Sequence, residues 1–332
     1  MLTTKTGAGA GPINTLLAIG RGRSRFLNLA SCRKKVTAPA LLGVQPSDVS
    51  DDVWSIAWSG DANYLVAQYN LGTRFLKRTG YTFSGSDAQS DPAGVGACAL
   101  STDGAFVATQ TRTSPFARIW HNNAGTLTTL SIGTVAAGNS VALTSDGSYA
   151  AFYREDAPFL QIKKRSGNGN AATFADIVVS TQPALGTTSQ SGQVAFSSDN
   201  QFIAVLNRSG GFAFYKFNSS TGLYDSHAVT ISGSSPSEGH GLAWSADGTW
   251  LAAASSSGTI LYKFDGATLT AQASLSGGYA GSFHPLGTQY ITGSGLIYKK
   301  STDTVWPLAL NLGSSPYSLS SAYASAFSPL IA

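Results

Sequence analysis

Ala243-Trp244-Ser245-Ala246-Asp247-Gly248-Thr249-Trp250-Leu251-Ala252 is the stretch that decides the fold. An alternating apolar segment enters a Ser-x-Asp-Gly turn, and an aromatic with small apolar residues leaves it. Asp can cap its own backbone and Gly tolerates positive φ, so the stretch reads as two strands joined by a tight turn. The pattern recurs at residues 57–61 before Tyr64, at 99–104 before Phe106, at 142–147 before Tyr149 and at 195–199 before Phe202. A degenerate copy, Ser282-Phe283-His284-Pro285-Leu286-Gly287, precedes Tyr290.

The Asp positions step by 42, 43, 53 and 48 residues, and Leu286 stands 39 beyond the last of them. Periods of about 40–50 residues fit four-stranded propeller blades. A third strand follows in each copy, for example Phe212-Ala213-Phe214-Tyr215 and Ile260-Leu261-Tyr262-Lys263, and weaker fourth strands follow these, as at Tyr81-Thr82-Phe83, Ile177-Val178-Val179 and Leu269-Thr270-Ala271-Gln272. The ends supply a further unit. Residues 321–329, with Phe327, resemble a first strand. Leu16-Leu17-Ala18-Ile19, residues 24–29 and residues 36–41 align with second, third and fourth strands. The expected architecture is all-β: a seven-bladed propeller of four-stranded antiparallel blades, closed by a composite blade from both termini. Residues 1–15 read as a flexible arm and 16–332 as one propeller, with 16–45 as outer strands and 321–332 as the inner strand of the composite blade.

Composition agrees. The 332 residues are 42% hydrophobic but 11% charged, with 37 Gly and a net charge of +4. Globular chains average about a quarter charged. The mix excludes a helical bundle or coiled coil, and the apolar content excludes disorder. No apolar run reaches the roughly 18 residues of a spanning helix, so no membrane partner is expected. Cys32 and Cys98 make neither a disulfide framework nor a zinc site. The N-terminal stretch lacks the plan of an export signal.

On these residues the chain resembles the WD40-like propellers over nearly its whole length. The Ser-x-Asp-Gly turn with following Leu-Ala is the shared element. Gly239-His240 resembles the family's Gly-His pair but occurs once, and Ile119-Trp120-His121 stands where the family has Trp-Asp. The resemblance therefore implies a divergent propeller held by packing and strand ladders. The low-charge, Gly/Ser/Thr/Ala-rich composition also resembles that of propellers in tailed-bacteriophage virions.

Catalytic patterns are sparse. There is no Gly-x-Ser-x-Gly elbow, and the Gly7–11 alternation ends at Pro12 without a phosphate loop's Lys-Ser/Thr. Only two glutamates exist, Glu155 and Glu238, both in loop-like segments, and the repeat aspartates read as turn residues. The histidines, His121, His227, His240 and His284, lack metal-ligand spacing. Propeller lactonases and quinone dehydrogenases need converging ligands at the central channel, which the sequence does not assemble. No catalytic residue, metal or cofactor is expected. Trp58, Phe196, Trp244, Phe283 and Phe327 occupy equivalent positions and read as buried packing residues.

Basic residues recur at the ends of third strands: Arg33, Lys34, Lys35, Lys77, Arg78, Lys163, Lys164, Arg165, Lys216, Lys263, Lys299 and Lys300. Repeated geometry would set them in a ring on the face of the Asp turns, with a Ser/Gly/Thr-dominated face opposite. All of these except Lys216 and Lys263 are candidate partner-binding residues, together with Trp306 and Tyr317, and segments 168–186 and 301–320 read as insertions that reach a partner. The expected function is a non-enzymatic scaffold, a structural component of a phage virion on its head or tail, bound to other protein subunits of the assembly. The alternatives are a glycan-binding adhesin recognising a surface glycan and a cytoplasmic protein-interaction platform. Nucleic acid is not an expected partner, because aromatic and basic residues do not interleave.

Overall fold

The computed structural model describes residues 16–20, 25–28, 53–69, 72–79, 82–89, 96–155, 159–177, 179, 192–209, 211–284, 286–311 and 324–327. It is an all-β propeller. Six sheets have four antiparallel strands hydrogen-bonded in chain order, and they are numbered here as blades one to six. Their first strands are Val53–Trp58, Gly96–Leu100, Val141–Leu143, Gly192–Phe196, Gly241–Trp244 and Ser282–Phe283. Each first strand contacts the next, which makes these the inner strands of a ring. Blade five carries a fifth strand, Thr230–Ser232, parallel to its outer strand Thr268–Ser276.

A seventh sheet joins the two ends of the chain. Leu16–Gly20 pairs with Arg25–Asn28 on one side and with Ala324–Phe327 on the other, with Leu17 opposite Phe327. Ala324–Phe327 contacts the first strands of blades six and one. The pairing expected of the ends is thus present, but the count is corrected: the complete blades number six, not seven. The seventh sheet has three strands among the described residues. The fourth strand expected at 36–41 and the arm at 1–15 lie outside them.

The core lies between blades. Tyr149, Tyr153 and Ile162 of blade three pack with Val194, Ile203 and Tyr215 of blade four. Phe106 and Ile119 of blade two pack with Phe152 and Phe174 of blade three. Phe214 of blade four meets Tyr262 and Phe264 of blade five. Second strands have neighbours on both faces, so Phe106–Thr111, Tyr149–Tyr153 and Trp250–Ala254 are buried throughout. Such strands read as unbroken apolar runs rather than alternating ones. Trp58 and Trp244 are half-buried rather than fully buried. Trp244 packs edge-on against Phe264, and its Nε1 reaches the Ala195 carbonyl of blade four at 3.4 Å.

The repeat motif is a hydrogen-bonded circuit. In blades one to five a hydroxyl from Ser59, Ser101, Thr144, Ser197 or Ser245 donates to Asp61, Asp103, Asp146, Asp199 or Asp247 at 2.5–2.8 Å. The same hydroxyl accepts the backbone N–H five residues on, at Tyr64, Phe106, Tyr149, Phe202 or Trp250, at 2.9–3.0 Å. The carboxylate accepts the N–H two residues beyond itself at 2.9–3.1 Å. The residue after Asp turns left-handed, with φ of 71° at Gly104, 66° at Gly147 and 70° at Gly248, where glycine has no Cβ to clash. Asn200 takes the same conformation with φ 59°, and asparagine is among the residues that tolerate it. In blade six His284 replaces the serine, and its Nδ1 accepts the Leu286 N–H at 3.1 Å. Burial holds that imidazole below its ordinary value, in the neutral form that can accept.

Adjacent turns are also tied. The Gly60 N–H donates to the Thr102 carbonyl at 2.5 Å, and the Thr102 N–H to that of Ser145 at 2.7 Å. Asn200 completes the series, accepting from the Ser145 N–H and donating to its Oγ. The expected insertions prove to be partly blade: Thr173–Ile177 lies inside 168–186, and Leu308–Asn311 lies inside 301–320, each as a fourth strand. Sparse apolar content hid Leu308–Asn311, while the fourth strand expected at Ile177-Val178-Val179 is corrected to Thr173–Ile177, whose polar start carried no apolar signal.

Ser245→Ala removes one donor and one acceptor from this circuit and leaves a buried N–H without its partner. It should cost about 1–3 kcal/mol in chemical denaturation. Partial burial pushes the Asp61, Asp146 and Asp247 carboxyls up, but their hydrogen bonds outweigh it and hold them below the ordinary 3.8. Their contribution is whole above that value and is lost as pH falls through the lower folded values. The melting temperature should therefore drop below about pH 4, and Asp247→Asn should reduce the drop while lowering stability at neutral pH.

Candidate functional site

The basic residues fall where the repeat places them. Lys77, Lys164, Lys216 and Lys263 pair in register with Tyr64, Tyr149, Phe202 and Trp250, the residues that leave the Asp turns. Most are engaged at home. The Lys163 side chain is 0% exposed, and its Nζ bonds Asp176 at 2.8 Å. Lys263 and Lys300 share Asp303 at 2.7 and 2.8 Å, and their hydrogen bonds bring that carboxyl down to about 2. Arg165 lies 4.4 Å from the Phe106 ring centroid and Lys300 lies 4.5 Å from that of Trp250. Lys77 donates to the Ala124 carbonyl at 3.1 Å. Lys164 and Lys299 are exposed, and Arg78 is half-buried. Two expectations are corrected: Lys163 is buried, and Trp306, 6% exposed, packs against Trp250 and Phe283 in the core rather than on a contact surface. Its place among turn residues concealed this from the sequence. Arg33, Lys34, Lys35 and Tyr317 lie outside the described residues.

The opposite face holds the acid–base chemistry. There the connections run from second to third strands and from each blade to the next. Glu238 and His240 stand two residues apart just before the inner strand Gly241–Trp244, a spacing that turns both side chains the same way on extended backbone. His240 Nε2 and Glu238 Oε2 are 3.0 Å apart, and Ser256 Oγ donates to the same oxygen at 3.0 Å. These two hydrogen bonds, from His240 foremost, hold the Glu238 carboxyl below its ordinary range. An ionised carboxylate only accepts, so Nε2 carries a proton, and in the neutral imidazole Nδ1 is then the accepting nitrogen. The Tyr279 ring sits 5.4 Å from the imidazole, centroid to centroid.

The backbone here is tightly held. A Cβ on Gly239 would come within 2.4 Å of the Asn207 carbonyl oxygen and 2.7 Å of Leu206 Cγ, so the residue between Glu238 and His240 has no room for a side chain. The His240 N–H donates to the Ala254 carbonyl, and the Tyr279 N–H to that of Ser255, each at 2.8 Å. Tyr279 adopts a left-handed φ of 64°, a conformation that non-glycine residues hold only when their surroundings enforce it.

Beside the pair lies a cavity of about 380 Å³. Ser235, Ser237, Ser255, Ser257, Ser274 and Ser276 line it together with Thr259, while Pro236, Ile260 and Leu275 supply its apolar part. The turn through Ser255, Ser256 and Ser257 is shared, since its middle residue bonds Glu238 and its neighbours face the cavity. A second polar group occupies the same face between blades two and three, where Arg112 forms an ion pair with Glu155. Gln110 is buried nearby, its Nε2 donating to the Tyr153 and Ala136 carbonyls. Both glutamates of the chain thus stand on the face expected to be dominated by Ser, Gly and Thr. Among the described residues, no group of three or more His, Cys, Asp or Glu could hold a metal ion, and no helix is long and apolar enough to cross a membrane.

Comparison with known proteins agrees on the fold. No protein-family model matches the sequence, and none of the curated proteins matches it. Solved structures do match. Two bear the name "putative 6-phosphogluconolactonase". The one from Bacteroides uniformis has TM-score 0.69 at 12% identity, covering 96% of this chain and 100% of its own. The one from Bacteroides fragilis has TM-score 0.67 at 14% identity, covering 95% and 98%. The Cps50 (Swd1) β-propeller domain of Myceliophteria thermophila has TM-score 0.58 at 12% identity, covering 87% and 91%. At such identities the likeness establishes the β-propeller fold alone, and the WD40-like resemblance holds at that level.

The functional expectation is corrected by the same findings. A non-enzymatic virion scaffold, with its adhesin and interaction-platform alternatives, rested on the fold lacking assembled chemistry and on composition. Two of the similar structures bear an enzyme's name and match over nearly their full length, and Glu238 and His240 form a hydrogen-bonded carboxylate–imidazole pair that the sequence did not reveal.

Trp306→Ala should cost about 3–5 kcal/mol, as for other buried aromatics truncated to alanine. A change under about 1 kcal/mol in urea denaturation would put the residue back on the surface.

Proposed function

We propose that this chain hydrolyses a cyclic ester, with water activated by the His240–Glu238 pair. The observation that carries the reading is the 3.0 Å contact between an ionised carboxylate and an imidazole at the entry to an inner strand. The names borne by two similar structures support it. In this reaction a water oxygen bonds to the lactone carbonyl carbon as His240 Nδ1 takes the proton. The ring C–O bond then breaks, the proton passes to the departing ring oxygen, and a hydroxy acid leaves. Glu238 orients the ring and stabilises the imidazolium that forms. Ser256 donates to Glu238 rather than to the imidazole, so it acts as a support and not as a nucleophile.

The sheet formed by Leu16–Gly20, Arg25–Asn28 and Ala324–Phe327 is, in this reading, a seventh blade that closes the ring. Its support is the contact of Ala324–Phe327 with the first strands of both blade six and blade one. A closed ring leaves no inner strand edge open to other chains.

Purified protein should open D-glucono-1,5-lactone or its 6-phosphate faster than heat-inactivated protein does, as followed by proton release. His240→Ala should lower kcat/KM by about a hundredfold or more, and Glu238→Gln by about tenfold, with unchanged melting temperatures. Equal rates in His240→Ala and the parent protein would remove the pair from the reaction. Deleting residues 321–332 should lower the melting temperature by well over 5 °C, roughly the effect of about 1–2 kcal/mol in a chain this size. A shift of less than that would reject ring closure by this strand.

A further inference from the structure

We infer that the serine-lined cavity beside Glu238 receives the uncharged, hydroxyl-bearing arm of the substrate, so that this chain prefers a neutral polyhydroxy lactone to its phosphorylated form. The inference rests on the hydrolytic reading above and deepens it. It also departs from the phosphorylated substrate that the names of the two similar structures specify.

The lining carries the argument. Six serines and Thr259 line an open cavity of about 380 Å³, and among the described residues no Lys, Arg or His lines it. A phosphate dianion placed in this open, hydroxyl-lined hollow would find no Lys or Arg there to make the charge-assisted hydrogen bonds that phosphate sites use. Sugar hydroxyls, which both donate and accept, match serine hydroxyls in kind. The walls are held in place before any ligand arrives. Tyr262 Oη donates to the Ser234 carbonyl at 2.7 Å, and Tyr298 Oη donates to the Ser276 carbonyl at 3.1 Å, pinning the two rims. Thr259 Oγ1 is spent on the Gly277 carbonyl at 3.0 Å, which fixes the floor.

The turn that links cavity and chemistry fixes the direction of binding. Ser255 and Ser257 face the cavity while Ser256 bonds Glu238, so the two regions are separated by a single residue along the chain. A six-membered lactone with its carbonyl at His240 can therefore extend its exocyclic hydroxymethyl arm past this turn into the cavity. Arg208 favours ionised Glu238 and is not among the residues that line the cavity.

The test is a comparison of kcat/KM for D-glucono-1,5-lactone and its 6-phosphate. The expected result is at least a tenfold preference for the unphosphorylated lactone. Ser274 is exposed on the cavity wall. Ser274→Lys, which adds a cation there, should move the ratio toward the phosphate by tenfold or more. Equal or greater kcat/KM for the phosphate in the parent protein overturns the inference while leaving the hydrolytic reading intact. If neither lactone is opened, the hydrolytic reading fails, and calorimetric binding of gluconate against 6-phosphogluconate decides the cavity separately. Gluconate binding that Ser274→Trp abolishes supports it. Tighter binding of 6-phosphogluconate, or no gluconate binding at millimolar concentration, overturns it.

Discussion

The bond on which the rest of the molecule depends is the short one from a serine or threonine hydroxyl to the aspartate two residues later. It spans only 2.5–2.8 Å, and it recurs in five blades. Because that hydroxyl also accepts the first N–H of the following strand, the circuit fixes how each inner strand returns outward. Because the turns of blades one to four then bond to one another, it also fixes how those blades sit side by side. Core packing follows: second strands are covered on both faces only when adjacent blades hold this spacing.

The two faces divide the remaining work. On the turn face most of the described cations are engaged by carboxylates, carbonyls and aromatic rings, and exposed pairs of that kind contribute little individually. They cover apolar edges with their stems. On the other face the two glutamates each have a basic partner: Glu238 beside His240, and Glu155 beside Arg112.

Much of the fold was legible in the sequence because a propeller repeats its local rules. The Ser-x-Asp-Gly copies located the inner hairpins, and the half-unit at each end anticipated the pairing of Leu17 with Phe327. The outer strands were less legible. Thr173–Ile177 and Leu308–Asn311 bury few side chains, so they lack an apolar signature. The complete four-stranded blades number six rather than seven, and the terminal sheet has three strands among the described residues. The site was hardly legible at all. Gly239-His240 resembles the Gly-His pair of a blade motif, and Ser256 lies 18 residues from the carboxylate that it bonds. A usable signal was the i, i+2 pairing of Glu238 and His240 at a strand entry in a chain with only two glutamates.

The parallel strand Thr230–Ser232 has an effect beyond its three residues. Thr268–Ser276 is the longest of the described strands, and it lies on the outside of its sheet. Left bare, it would offer nine residues of backbone to a second copy of the chain, the usual route to edge-to-edge association. The added strand occupies Thr268, Leu269 and Thr270 and runs the opposite way to the blade's own neighbours. What stays uncovered is the serine-bearing half, whose polar side chains disfavour a dry interface. One short excursion of the chain therefore protects the blade from polymerising and, by stopping where it does, leaves the cavity open.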